Sequence, residues 1–146
     1  MSKSNALENA WLLHLFNNSD IALVGDATGL RGSTAAGNLY LSLHTSDPGE
    51  AGDQTTNEIS YTSYARAAVP RSGAGFTVAG NSVSLTSAVN WPIGTGGSGT
   101  ATHFGIGVAS SGAGVLLYSG PATPNTVCGL GVTPQMSTAA GLVTED

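Results

Sequence analysis

The stretch Leu39–Val69, "LYLSLHTSDPGEAGDQTTNEISYTSYARAAV", decides the fold of this chain because it changes from a strand pattern to a loop pattern. Leucines recur at every second position, which places Leu39, Leu41 and Leu43 on one side of an extended strand. His44 falls on the opposite side of that strand. The polar segment that follows carries an Asp-Pro-Gly turn signal. The stretch therefore predicts a core strand at residues 39–45, followed by a surface loop.

Short strand patterns continue along the rest of the chain, separated by glycine-rich and proline-rich turn signals. Many short strands without alternating helices are typical of all-β proteins. The sequence therefore predicts a single β-sandwich, jelly-roll-like, with one short N-terminal α-helix. The further strands are predicted at residues 64–69, 75–78, 82–85, 88–91, 100–108, 115–119 and 141–144. The side chains predicted to form the core are Leu39, Leu41, Leu43, Val69, Phe104, Ile106, Leu116 and Tyr118.

The N-terminal segment "NALENAWLLHLF", residues 5–16, has a helical pattern. Asn5 is the candidate N-cap, and Glu8 three residues later completes a capping-box pattern. An apolar stripe with helical spacing runs along the segment and predicts an interface. The side chains predicted to form this interface are Leu7, Trp11, Leu15 and Phe16.

Three segments are predicted along the chain: a helix with its flank at residues 1–20, a Gly-rich connector at 21–38, and the β-sandwich domain at 39–146. The connector carries one short strand pattern, at residues 21–24. A helix of about 12 residues is marginal alone and must bury its stripe to persist. A flexible connector allows the helix to lie over its own sandwich or against a neighbouring subunit. Contact with a neighbour is the favoured prediction, since the β domain has enough apolar residues for its own core.

Charged residues make up only 9% of the chain, and four Lys and Arg residues leave a net charge of −5. Nucleic-acid binding needs clustered cations that release counterions from phosphates, so this function is excluded. The apolar runs are far shorter than the roughly 20 residues that span a bilayer, so no membrane partner is expected. The N-terminus makes a poor signal peptide, and a single cysteine excludes an internal disulfide. Synthesis in a cytoplasm is therefore expected.

The glycine-rich segment "GTGGSG", residues 94–99, matches the G-x-G-x-x-G pattern of dinucleotide-binding proteins. That pattern requires a helix directly after it, whose N-terminus receives the pyrophosphate. The following "TATHFGIGV" has the alternating character of a strand instead. The segment is therefore predicted to be a hairpin turn, and no cofactor is predicted.

Four carboxylates lie in the opening stretch and are candidates for a metal or acid–base site. Their separations of three, three and five residues do not match a calcium loop, and a loose oxygen site is the alternative. The Asp-Pro-Gly signal favours a solvated turn, so we expect no metal and a loop that folds independently of metal. The four carboxylates are Asp47, Glu50, Asp53 and Glu58.

No nucleophile signature accompanies the histidines, which are His14, His44 and His103. A structural or surface role is predicted for each, and no catalytic residue is predicted. A hydrolase would need His44 or His103 paired with a nucleophile. Cys128 is predicted to be a small packing residue. Trp91 is predicted to fill the core, whereas Trp11 fits either the core or a partner contact.

Several segments, taken in their order along the chain, resemble a family of small bacteriophage structural proteins commonly labelled tail-fibre proteins. The matching pieces are "NALENAWLLHLF", "LYLSLHTSDPGEAG", "YARAAV", "VNWP", "THFGIGVASSGAGVLLYSG" and "VTPQMSTAAGLVTED". Together these pieces cover nearly the whole chain. The resemblance implies a virion structural protein, made in the host cell cytoplasm, that is not an enzyme.

Low charge and abundant Ser and Thr favour a capsid decoration, or cement, protein among such virion components. This protein would bind the major capsid protein or other virion proteins and form a homo-oligomer, a dimer or a trimer. Many weak contacts repeated over a shell would then add through avidity. The alternative is a tail-fibre or receptor-binding component of the phage tail, with a binding site at its loop tips.

Overall fold

The computed structural model describes residues 3–22, 24, 25, 29, 31–138 and 141–145. These residues form one helix and nine strands, and the sheets are antiparallel. This content confirms the predicted fold class, an all-β protein of the β-sandwich kind with one short N-terminal helix. The elements are α1 (Asn5–Asn17), β1 (Asn38–His44), β2 (Ala67–Pro70), β3 (Phe76–Ala79), β4 (Ser82–Leu85), β5 (Val89–Asn90), β6 (Ser98–Gly107), β7 (Leu116–Gly129), β8 (Gln135–Met136) and β9 (Gly141–Thr144).

The chain forms two compact units that interleave along the sequence. The terminal unit comprises Met1–Asn38, Pro70–Ser87 and Ser137–Asp146. The central unit comprises Leu39–Val69 and Ala88–Met136. The segment boundaries expected from the sequence, after residues 20 and 38, stay a prediction.

Helix α1 begins one residue earlier than its sequence pattern indicates. Ser4 is the N-cap, with an extended backbone, and its hydroxyl accepts a hydrogen bond from the backbone N–H of Leu7 at 3.3 Å. The predicted cap, Asn5, is the first helical residue instead. A serine cap satisfies a helix N–H as well as asparagine does, so either residue fitted the sequence pattern.

The helix packs inside the terminal unit, against the three-stranded sheet of order β3-β4-β9. Leu12 and Phe16 are fully buried, and the Phe16 ring lies edge-on to Phe76 with 5.0 Å between ring centroids. At the last turn, the Arg71 guanidinium donates hydrogen bonds to the carbonyl oxygens of His14 and Leu15, at 2.9 and 2.7 Å. These carbonyls have no partner within the helix, so Arg71 closes its C-terminal end.

The connector is bound to the end of the helix in part of its length. Asn18 has a left-handed backbone with φ of 56°, and its side chain exchanges two 2.7 Å hydrogen bonds with the backbone of Ser33. The backbone N–H of Gly32 donates to Asp20 Oδ1 at 2.7 Å. The sequence predicts a strand at residues 21–24. Ile21 and Ala22 do not form it, since Ile21 is a single buried residue and Ala22 lies in a turn. Residue 23 lies outside the described residues.

The central unit is built on a four-stranded sheet of order β2-β1-β6-β7. Strand β1 pairs with β6 so that Leu41 lies opposite Ile106 and Leu43 opposite Phe104. Trp91 is 2% exposed and donates its indole N–H to the carbonyl of Leu41 at 3.1 Å, which confirms its core position. Six of the eight predicted core side chains are buried, namely Leu39, Leu41, Leu43, Val69, Phe104 and Ile106, whereas Leu116 and Tyr118 are half-buried.

Strand β1 is covered on both sides. Besides the leucines, the alternate residues Ser42 and His44 have no exposed surface. The return segment that follows the acidic loop lies along β1: Glu58 forms a bridge with His44, and the N–H of Ile59 donates to the carbonyl of Leu43 at 2.9 Å. A strand buried on both sides needs polar partners for its polar side chains: the carbonyl of Thr56 supplies one to His44, and His44 supplies one to Ser42.

The glycine-rich segment at residues 94–99 is a crossing of backbones, and the prediction of a hairpin turn was wrong. Gly94 forms a bridge with Leu130, and Gly96 forms one with Thr62. A Cβ at Gly94 would lie 1.9 Å from the carbonyl oxygen of Gly129, so the two backbone segments lie too close together for any residue but glycine at position 94. The strand expected at residues 100–108 is confirmed as β6, which begins two residues earlier, at Ser98, inside the glycine-rich segment.

Strand β7 is much longer than predicted, because the proline-rich segment at residues 121–125 lies inside it. Pro121 pairs with His103 and Thr126 pairs with Ala101, so the intervening residues bulge out from the ladder opposite Thr102. Proline is tolerated here because β7 is an edge strand, whose outer side has no ladder to which an N–H must donate. Strand β8 was not predicted.

Candidate binding surface

Six of the eight residues in the hairpin loop between β6 and β7, residues 108–115, are exposed, and we call this loop the display loop. Val108 and Val115 stand at its base with 47% and 64% of their surfaces exposed. The N–H of Val108 donates to the carbonyl of Val115 at 3.2 Å and closes the loop. These two valines give the base of the loop a small exposed apolar surface.

Arg66 holds the display loop from beneath. Its Nη1 donates to the carbonyl of Ala109 at 3.0 Å, and its Nη2 donates to the carbonyl of Gly112 at 2.8 Å. The same guanidinium forms a two-pronged ion pair with Glu58, at 2.7 and 2.8 Å. Hydrogen bonding to Glu58 raises the pKa of Arg66, so the cation is permanent.

Glu58 therefore does not point into water, and the prediction of a solvated carboxylate was wrong at this position. Its side chain is 16% exposed and accepts a further hydrogen bond from the Tyr64 hydroxyl at 2.9 Å. That hydroxyl in turn accepts from the backbone N–H of Leu43 at 3.1 Å. Burial raises the pKa of Tyr64, so its hydroxyl stays protonated as the donor to Glu58. The chain of contacts connects the display loop to the core strand β1.

Gln54 forms the second attachment of the display loop and has no exposed surface. Its side-chain oxygen accepts from the N–H of Ala109 at 2.9 Å, and its backbone N–H donates to the carbonyl of Gly114 at 3.0 Å. Two glycines make room for it: a Cβ at Gly107 would lie 2.1 Å from Gln54 Cδ, and one at Gly114 would lie 2.3 Å from Gln54 Oε1. Gln54 and Arg66 together fix the course of the loop.

Sequence reasoning assigned no function to Gln54 or Arg66, because their partners lie far along the chain. Arg66 is separated from Ala109 by 43 residues, and Gln54 is separated from it by 55. One signal was available: a charged residue in the short strand pattern "YARAAV", in a chain with only four cations, calls for a buried partner.

His44 lies beside a hydroxyl group, in the contact that a hydrolase would require. Its Nε2 is 2.8 Å from Ser42 Oγ, and its Nδ1 is 2.8 Å from the carbonyl oxygen of Thr56. A carbonyl only accepts, so Nδ1 carries the proton and Nε2 accepts from Ser42. Both side chains are fully buried, and a Cβ at Gly105 would lie 2.7 Å from each of them. Burial lowers the pKa of His44, and the contact is part of the packed interior.

The other two histidines also contact polar groups of their own surroundings. His14 Nδ1 lies 2.8 Å from the carbonyl oxygen of Ser19, and His103 Nδ1 lies 2.9 Å from Thr102 Oγ1. Cys128 is buried, in agreement with its predicted packing role, and burial raises the pKa of its thiol. In the part of the chain that the structure describes, no three His, Cys, Asp or Glu side chains gather closely enough to hold a metal ion.

A groove of about 420 Å³ separates the acidic loop from the start of β7, and we call it the acidic groove. One wall consists of residues 47, 49, 50 and 52, and the other of residues 116–119. The turn predicted at "SDPGE" is confirmed, since Asp47 Oδ1 accepts from the N–H of Gly49 at 2.9 Å. Asp47 and Glu50 are exposed, as predicted for a solvated turn.

Asp53, the remaining acid of this loop, acts as a local turn cap. Its Oδ1 accepts from the N–H of Thr55 at 2.7 Å and from the Thr55 hydroxyl at 2.6 Å. These hydrogen bonds lower the pKa of Asp53. The side chain of Asn57 donates to the carbonyl of Asp47 at 3.1 Å and ties the loop to its return segment. The acidic loop therefore has a fixed shape.

The predicted interface side chains of α1 differ in exposure. Leu7 and Trp11 are 43% and 40% exposed, Leu15 is half-buried, and Phe16 is fully buried in the terminal unit. Trp11 lies stacked with His14, with 6.4 Å between ring centroids. Two of the four side chains are thus available on the surface of this chain, and their role in an interface stays a prediction. No helix in the described ranges is long and apolar enough to cross a membrane.

An all-β scaffold whose exposed loops are held by a hydrogen-bonded frame places the chain in the class of all-β proteins with rigidly supported surface loops, which are elements that often carry function. Within that class, the chain belongs to the family described as "Podophage GP4 fiber I protein gp80", which matches residues 2–140. It is therefore a structural protein of a bacteriophage virion. The match confirms the resemblance to phage fibre proteins. No individually curated protein matches the chain.

Proposed function

We propose that this protein is a component of a bacteriophage tail fibre. The observation that carries the proposal is the match of residues 2–140 to a family described as a fiber protein. Low charge and abundant hydroxyl groups, which favoured capsid decoration in the sequence, fit any protein packed among other virion proteins. The family match therefore favours the fibre over the decoration of a capsid.

The display loop supports a binding role for such a fibre. Its exposed valines, Val108 and Val115, stand on a loop fixed by Arg66 and Gln54. A loop that already has its bound shape loses less conformational entropy on binding, which improves affinity. The loop is thus suited to contact a partner outside the virion.

In this proposal the fibre binds without catalysis. The Ser42–His44 contact has the atoms of a nucleophile and its base at 2.8 Å, but neither side chain has any exposed surface. A substrate carbonyl would have to reach within about 3 Å of the hydroxyl, and this packing prevents it. The contact supports the fold of strand β1 instead.

The exposed side of α1 is the proposed attachment surface. Leu7 and Trp11 are the side chains through which the fibre contacts other virion proteins or a second copy of itself, in a homo-oligomer. Large apolar and aromatic side chains commonly anchor such interfaces.

The experiment that tests the function is localisation in purified virions. Gold-labelled antibody against the recombinant chain is imaged by electron microscopy, and copies per virion are measured by mass spectrometry relative to the major capsid protein. We expect gold at the tail and a copy number far below that of the capsid protein. Gold spread over the head, with copies in proportion to the capsid lattice, would establish decoration instead.

A further inference from the structure

We propose that the end of strand β7, residues 126–129, pairs with the same segment of a second copy of this chain, an inference that goes beyond the fibre function. We call this segment the open edge. It belongs to the outermost strand of the sheet of order β2-β1-β6-β7. On its inner side Val127 lies opposite Thr100, and Cys128 lies opposite Gly99. No strand of the described residues pairs with its outer side, so the N–H and C=O groups that an edge strand turns outward can form a further ladder.

The rest of β7 is protected against such pairing. Residues 116–119 line the acidic groove together with Asp47 and Glu50, whose side chains are exposed. A second copy that paired across a two-fold axis at this part would bring its own two carboxylates toward them, and like charges repel. Further along, Pro121 and Pro124 have no N–H to donate, and the residues up to 125 bulge out from the ladder. Charge, proline and bulges keep natural edge strands from pairing, and residues 126–129 have none of the three.

Apolar side chains are exposed at the open edge. Val127 has 61% of its surface exposed, and Leu130, which directly follows the strand, has 73%. The ladder partner of Val127 on β6, Thr100, is exposed too, since residues that face each other in a ladder point to the same side of the sheet. A ladder to a second copy would cover Val127 of both copies and add apolar burial to the backbone hydrogen bonds. An uncovered edge of this composition is prone to pair with another chain.

The distribution of charge identifies the second chain as a copy of the first. No Asp, Glu, Lys or Arg occurs in residues 72–144, a stretch that includes every strand from β3 to β9. The open edge therefore offers no ion pair to a basic or an acidic partner. It does match its own copy, because two antiparallel edges related by a two-fold axis exchange donors and acceptors equally. The chain has a net charge of −5, but no carboxylate of the open edge itself opposes the pairing of two copies.

The alternation of side chains limits the register of this pairing. Val127 points to the exposed side of the sheet, whereas Cys128 is 2% exposed and points inward. Facing residues must point to the same side, so the two-fold axis passes either through position 127 or through position 128. In the first register the two Val127 side chains face each other, and in the second they are diagonal neighbours. Their Cβ atoms then lie within about 8 Å of each other in both registers.

The first test measures the mass of the full-length protein in solution by sedimentation equilibrium. Val127→Lys places a charge on the open edge of both copies. Val115→Lys is the matched control, since Val115 is 64% exposed in the display loop of the same unit. We expect the mass of the wild type and of Val115→Lys to be about twice that of Val127→Lys, because loss of a two-fold contact separates pairs of copies. An equal mass for all three proteins, or an equal loss in both variants, would overturn the proposal.

The second test needs no disruptive substitution and decides the question if circular dichroism shows that Val127→Lys is unfolded. Val127→Cys and its control Val115→Cys are treated with a bismaleimide that bridges about 8 Å, and the products are separated on a denaturing gel. Cys128 is present in both proteins and is buried. We expect a cross-linked dimer from Val127→Cys and little from Val115→Cys. Cross-linking at position 127 no stronger than at position 115 would overturn the proposal. Both tests use the free protein, so their outcome is independent of its location in the virion.

Discussion

At the residue scale, Arg66 connects parts of the central unit that are distant in sequence. It pairs with Glu58 and donates to two display-loop carbonyls, so all of its bonds end on groups that are partly or fully withdrawn from water. Removal of such a cation leaves a carboxylate without its partner in a site of low polarity. The cost of that unpaired charge exceeds what the pair itself contributes.

Arg66→Met is therefore expected to lower the free energy of unfolding by about 3 kcal/mol, because Glu58 loses its cation, keeping only the Tyr64 hydroxyl, and two carbonyls lose their donor. The matched control is Arg31→Met, which removes an exposed cation 3.6 Å from Asp20 and is expected to cost about 0.5 kcal/mol or less. Urea denaturation measures both values. Equal effects of the two substitutions would contradict the role assigned to Arg66.

His44 gives a pH dependence whose sign follows from its environment. Burial lowers its pKa below the ordinary value of 6.5, so the folded state keeps the ring neutral where the unfolded chain already binds a proton. The stabilising contribution is present above pH 6.5 and is lost as the pH falls from 6.5 through the folded-state pKa. We expect the stability advantage of the wild type over His44→Gln to be constant above about pH 7.5 and to shrink below pH 6.5. Denaturation curves between pH 8 and 5 test this; an advantage that grew on acidification would refute it.

At the element scale, the display hairpin depends on glycines that admit Gln54. Gly107→Ala would place a methyl group 2.1 Å from Gln54 Cδ, so the side chain must leave its site and release Ala109. The expected cost is about 2 kcal/mol, with faster hydrogen exchange in residues 108–115. Gly73→Ala is the control, since nothing lies within 4 Å of a Cβ there, and its stability should match wild type. Unchanged exchange in Gly107→Ala would argue against the Gln54 attachment.

Helix α1 has a buried side, which contains Phe16, and an exposed side, which contains Trp11, and we expect substitutions on the two sides to have different effects. Phe16→Ala removes a fully buried ring that contacts Phe76 and is expected to destabilise the terminal unit by about 3–5 kcal/mol. Trp11→Ala removes a side chain that is 40% exposed and is expected to change stability little but to weaken self-association or attachment. Thermal melting and analytical ultracentrifugation distinguish the two effects. If the Trp11→Ala protein associated as the wild type does, the proposed interface role of α1 would be wrong.

The elements that sequence patterns located best are those with local signals. Strands β4 and β9 have the predicted bounds, and β1 differs by one residue at each end, because alternation and adjacent turn residues define them. The sequence predicts too short a strand for β7, because proline, present at positions 121 and 124, normally ends a strand. An edge strand tolerates proline, but edge position is a property of the whole sheet and has no local sequence signal. The frame of Arg66 and Gln54 was missed for the same reason: its contacts span 43 and 55 residues, and no local pattern encodes them.

At the scale of the whole molecule, most of the few cations are committed to internal contacts. Arg66 and Arg71 bond to groups within their own units, and Lys3 pairs with Glu145 at 2.7 Å. Arg31, with 63% of its side chain exposed, is the cation most open to solvent among the described residues. Fixed internal cations and exposed carboxylates leave an acidic surface, in keeping with the net charge of −5.

The stability of the acidic loop is nevertheless expected to be independent of divalent cations. Glu58 is paired with Arg66, and Asp53 accepts hydrogen bonds from Thr55, so only Asp47 and Glu50 of the four carboxylates remain as candidate ligands. Two carboxylates fall short of the roughly six to eight oxygens that bind a calcium ion. We expect millimolar Ca²⁺ and a chelator to give melting temperatures within about 1 °C of each other. A rise of several degrees with Ca²⁺ would mean that the acidic loop holds an ion.

The frame of Arg66 and Gln54 has a consequence for how the display loop can change in sequence among related phages. Arg66 binds the carbonyl oxygens of residues 109 and 112, and Gln54 binds main-chain atoms of residues 109 and 114. Main-chain atoms are the same whatever side chain a codon specifies, so the exposed positions 110, 111 and 113 can mutate without loss of the loop's course. Under the binding role proposed for this loop, selection for a new partner acts on the loop tip while the scaffold beneath it stays constant.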